Sequence, residues 1–96
     1  MQFPQVKKAL ESIFADIQAQ AELGELPTEE SVYELLRLTT RMLSMAEDDW
    51  AGECEDFHHL VKELLQVVKK GSAEDAIQIV EALDAAQAYC HENFRF

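Results

Sequence analysis

Apolar residues recur along this chain at spacings of three and four in four separate runs, parted by glycine, proline or acidic clusters. That period puts each run on one face of an α-helix and predicts four amphipathic helices. The first covers about residues 4–23, with Val6, Leu10, Ile13, Phe14 and Ile17 as its stripe. Pro4 suits a first-turn position, where its missing N–H costs nothing. Gly24 and Pro27 then break the chain. Thr28 is a good N-cap for a second helix over about 28–46, with Glu29 and Glu30 at the positive end of its dipole. Its stripe is Val32, Leu35, Leu36, Thr39, Met42 and Leu43, extending towards Ala46. Glu47, Asp48, Asp49, Trp50 and Gly52 read as the next connection.

The third helix is expected over about 53–70, buried through Phe57, Leu60, Val61, Leu64 and Val68. Lys69, Lys70 and Gly71 stop it: cations at the negative end, then a residue able to take positive φ. Ser72 caps the fourth helix, about 72–94, with Asp75 three residues on as a capping-box variant. Ala76, Ile77, Val80, Leu83, Cys90 and Phe94 continue its apolar face. Four such helices with short connections predict an all-α, antiparallel up-down-up-down four-helix bundle, one domain over residues 1–96.

Composition narrows the function classes. Nineteen acids against eight bases give a formal charge of -11. With no basic stripe, this surface repels nucleic acid and anionic membranes and suits a basic protein partner. No apolar run reaches the roughly 18–20 residues a bilayer requires. The N-terminal residues carry no apolar segment ahead of a small-residue cleavage site, so a cytoplasmic location is expected, and a periplasmic one only if a signal peptide has been removed. No nucleophile elbow, phosphate loop or paired catalytic acid is present, and a non-enzymatic protein is expected.

The candidate chemistry sits at one pole. A turn centred on Gly71 sets Cys54 level with about position 88, so Cys54 and His58 come near Tyr89, Cys90 and His91. Phe3, Met42, Met45 and Trp50 join them in an up-down bundle. His58 and His59 point about 100° apart, so at least one faces solvent. Packing is the bland explanation for Met, aromatic and Cys residues at helical spacing. Cys54 and His58, four residues apart, share a helical face; with Cys90 and His91 they make a weak zinc candidate. A Cys54–Cys90 disulfide is geometrically conceivable, and a reducing compartment argues against it.

The C-terminal residues Gln87-Ala88-Tyr89-Cys90-His91 through Arg95 resemble the haem-attachment end of the cytochrome c-prime family, where Cys-x-x-Cys-His ends the fourth helix. Cys90 matches the second thioether cysteine, His91 the proximal iron ligand and Arg95 the basic residue after the motif; Gln87 stands where the first cysteine would be. The segment from Asp56-Phe57-His58-His59 through Gly71 to His91 resembles the third and fourth helices of that superfamily, including its non-covalent b-type members. The ending also resembles a bacterial group of small proteins named for an XXXCH motif. The resemblance implies haem held by His91, with one thioether at Cys90 or none. Phe57, Phe94, Leu60 and Ile17 would form the apolar pocket. The opposing position would be open or filled by Met42 or Met45. The competing expectation is a haem-free bundle serving as an interaction or assembly module.

Overall fold

The computed structural model describes residues 3–94, with side chains described for residues 4–89. It is an all-α four-helix bundle: α1 (Phe3–Glu22), α2 (Glu29–Ser44), α3 (Asp48–Lys70) and α4 (Ala73–Phe94). Each helix packs on its neighbours in the chain, and α1 also meets α4, closing a ring. Among the described residues the backbones of the diagonal pairs α1–α3 and α2–α4 stay more than 8 Å apart, Cα to Cα, and α1–α4 is the loosest interface. The longest dimension, 35 Å, is one helix of 23 residues at about 1.5 Å per residue, so the bundle is a single helix long.

The helix ends follow local chemistry. Gly71 takes φ 79°, and its N–H donates to Val68 O at 3.0 Å while Ser72 N–H donates to Val67 O at 3.1 Å. This pair of bonds is a Schellman ending, which requires a left-handed residue that glycine supplies without a Cβ clash. Gly24 (φ 75°) ends α1 by the same pattern, with Gly24 N–H on Ala21 O and Glu25 N–H on Gln20 O, both at 2.9 Å. Thr28 Oγ1 accepts from Ser31 N–H at 3.2 Å, and Ser72 Oγ accepts from Asp75 N–H at 3.4 Å. Both predicted caps are therefore formed.

The core runs the length of the bundle. Val6, Leu10, Phe14, Ile17 and Ala21 of α1 meet Val32, Leu35, Leu38 and Met42 of α2; Cys54, Phe57, Val61, Leu64, Leu65 and Val68 of α3; and Ala76, Val80 and Leu83 of α4. Thr39 is a buried polar residue, and its hydroxyl bonds to Leu35 O one turn back. Leu38 and Leu65, absent from the predicted stripes, are buried; Ile13, Leu36, Leu43, Leu60 and Ile77 pack at the core edge. The fourth-helix positions Cys90 and Phe94 lie outside the described side chains.

One boundary differs from the sequence reading. The segment Asp48–Gly52, read as a connection, forms the first turns of α3, which shortens the α2–α3 link to Met45, Ala46 and Glu47. Asp48 and Asp49 occupy the first turn, where the dipole favours negative charge, and Trp50 packs against the core. Gly52 costs up to about 1 kcal/mol relative to alanine in a helix, too little to break one anchored on both sides.

Candidate functional site

The pole around the α2–α3 link gathers most of the residues singled out in the sequence. Met42 and Cys54 are buried, Met45 and Trp50 pack at the core edge, and His58 is half-buried one turn beyond Cys54. His59, as its 100° offset implies, faces solvent with 72% of its side chain exposed, and its Nε2 lies 3.1 Å from Glu63 Oε1. Cys54 and His58 do share one side of α3, yet their environments differ. Cys54 belongs to the core, whereas His58 reaches sideways to α2.

That reach makes a polar contact between α2 and α3. Thr40 Oγ1 lies 2.8 Å from Leu36 O and 2.9 Å from His58 Nε2. A hydroxyl has one proton. With that proton donated to Leu36 O, His58 Nε2–H is the donor to Thr40, and Nδ1 carries the lone pair. Burial first, then the Lys62 ammonium nearby, pushes the His58 pKa below the ordinary 6.5. The neutral ring is therefore the folded-state form near neutrality.

This has a pH consequence. The unfolded chain binds a proton at His58 at higher pH than the folded chain does. Stability attached to this group is fully present above pH 6.5 and is lost as pH falls through the lowered folded value. The expected result is a His58 imidazole NMR titration with its midpoint below that of an unstructured histidine. Lys62→Gln should move it part of the way back. A midpoint at or above 6.5 would remove the effect.

Cys90, His91 and Phe94 lie on the last turns of α4, and their side chains are outside the described residues. The remaining pocket residues can be placed. Phe57 is buried and meets Phe14 of α1 edge-on, with ring centroids 6.3 Å apart and planes at 71°. Ile17 is fully buried and Leu60 sits at the core edge. Among the described residues no three of His, Cys, Asp and Glu converge as metal ligands. The zinc candidate thus has Cys54 in the core, His58 on Thr40, and its other two members outside the described side chains.

A second feature was not anticipated from sequence. Between α1 and α4 lies a solvent-open cleft of about 190 Å³ lined by Gln18, Ala21 and Glu22 on one side and Ile77, Val80, Glu81 and Asp84 on the other. Ala21 and Val80 are buried and form the floor with Ile77; Glu22, Glu81 and Asp84 are exposed on the rim. A sequence signal existed: neither residues 9–36 nor residues 71–94 contain a Lys or Arg. Among the described residues no helix is long and apolar enough to cross a membrane. Comparison with family models, curated proteins and solved structures gives no match to this chain.

Proposed function

We propose that this chain is a non-enzymatic four-helix interaction module whose acidic surface receives a basic protein partner. The observation that carries this reading is the packed interior. Side chains from all four helices fill the bundle axis, and the Phe57 ring closes on Phe14 across it. Binding then falls to the surface, and that surface belongs to a chain of net charge -11. Such a field speeds encounter with a basic partner and weakens with salt.

The Cys90–His91 pair favours a second reading, a cytochrome c-prime-like bundle holding haem through His91, with Cys90 as a single thioether link or none. The unbroken run of α4 through both residues supports it. The described residues fit the group poorly. Phe57 and Ile17, two walls of the expected pocket, are packed in the core, and a macrocycle between them would have to part the Phe14–Phe57 contact. A cytoplasmic location is part of the same proposal, in keeping with a reduced Cys54 and Cys90.

Two measurements separate these readings. Affinity capture from cell extract on the immobilised purified protein is expected to retain basic proteins at about 0.05 M salt and to release them at about 0.5 M, where the Debye length shrinks to about 4 Å. Haemin titration is expected to leave the absorption spectrum without a saturable Soret band. A one-equivalent Soret shift abolished by His91→Ala would overturn the interaction reading in favour of haem. Capture that is indifferent to salt would remove the charge-based partner.

A further inference from the structure

The cleft between α1 and α4 combines two properties. Its floor is apolar, from Ala21, Val80 and Ile77. Its rim is acidic on both sides, Glu22 from α1 and Glu81 and Asp84 from α4. Its volume of about 190 Å³ is comparable with the roughly 150 Å³ of an engineered cavity that accepts benzene, so one branched or aromatic side chain fits.

Among the described residues none of these three carboxylates stands in an ion pair. The only Lys residues of α1 are Lys7 and Lys8, two to four turns from the cleft, and α4 contains no Lys or Arg at all. Arg37 and Arg41 belong to α2, and Lys62, Lys69 and Lys70 to α3. Glu81 and Asp84, three apart on one helix, repel each other. A cation seated between the helices relieves that repulsion and is attracted by Glu22 as well.

Building on the interaction reading, we propose that this cleft is the docking groove of the partner. The occupant is a basic amphipathic helical segment that inserts one apolar side chain onto Ala21, Ile77 and Val80. Lys or Arg residues on the turns either side meet Glu22, Glu81 and Asp84. The apolar anchor supplies the contact area and the carboxylates set charge selectivity, as expected of a helix laid in a groove. A second copy of this chain is disfavoured as occupant, because it brings the same carboxylates and another net charge of -11.

The test uses a synthetic helical peptide of roughly four turns with Leu on one face and Lys and Arg on its flanks. Amide chemical shifts of the full-length protein are followed on titration. The expected shifts centre on Gln18, Ala21, Glu22, Ile77, Val80, Glu81 and Asp84. The variant Glu22→Gln/Glu81→Gln/Asp84→Asn should bind about tenfold more weakly at low salt, since each exposed pair contributes about two- to threefold. These surface changes leave the core untouched, and helical circular dichroism checks the fold. The charge-matched control Glu30→Gln/Glu55→Gln/Asp56→Asn should bind within about twofold of the parent. Ile77→Ala should weaken binding without altering net charge.

Equal loss in both triple variants would overturn the groove while leaving a diffuse acidic surface as the partner site. Absence of peptide binding, with salt-sensitive capture intact, would overturn the groove alone. A dimer of the free protein with its interface on the same seven residues would replace the peptide by a second copy.

Discussion

Phe57→Ala is expected to lower stability by about 3–5 kcal/mol, the usual cost of truncating a core aromatic. Phe57 is 8% exposed and meets Phe14 edge-on, so the variant loses both transfer energy and an aromatic contact worth about 0.5–1.5 kcal/mol. In a domain this small each kcal/mol moves the thermal midpoint by about 4–8 °C, so the drop should exceed about 10 °C. A double-mutant cycle with Phe14→Ala isolates the ring pair, with an expected coupling of about 1 kcal/mol. Chemical denaturation reads both quantities. A loss below about 1 kcal/mol would mean that Phe57 lies outside the tight core, which would reopen the interior to a bound group.

Val61→Asp should be more damaging still. Val61 has no exposed surface and belongs to the core from the middle of α3. A carboxylate there either stays charged in a low-dielectric interior or is protonated and left without a designed partner; either costs several kcal/mol. That approaches the whole stability of a small domain, about 5–15 kcal/mol. The variant is expected to show little cooperative unfolding by circular dichroism. Lys62→Asp, one residue on but exposed, should unfold within about 0.5 kcal/mol of the parent. A cooperative, near-parental transition for Val61→Asp would contradict the burial assigned to this position.

The bundle was legible because its signals are local. Thr28, Ser72, Gly24 and Gly71 each set a helix end through bonds within a few residues, and all four positions act as read. Phe14, Ile17, Val61 and Leu64 follow from the period alone. The start of α3 was misread because Gly52 and three consecutive acids resemble a loop in isolation, while in the fold Trp50 anchors that turn on the core. Leu38 was missed because α2 is covered from two sides, by α1 and α3, so its buried arc is wider than one stripe. The histidine contact with Thr40 and the α1–α4 cleft were hidden for a different reason. Each depends on how helices distant in sequence are rotated against one another, and periodicity does not encode that rotation. The Cys90–His91 pair was conspicuous in sequence, yet its side chains lie outside the described residues.

The ring arrangement also shapes how the chain reaches its native state. Three of the four helix interfaces join elements that follow one another across connections of a few residues, and such hairpins close at little entropic cost. Among the described residues the α1–α4 seam is the helix interface that joins the two ends of the polypeptide, and it is the loosest. Low contact order of this kind belongs to domains that fold in microseconds to milliseconds. Closure of the seam then comes late, and its contacts act mainly on the rate of unfolding. Occupation of that seam by another helix would accordingly lengthen the lifetime of the folded protein and leave its rate of formation unchanged.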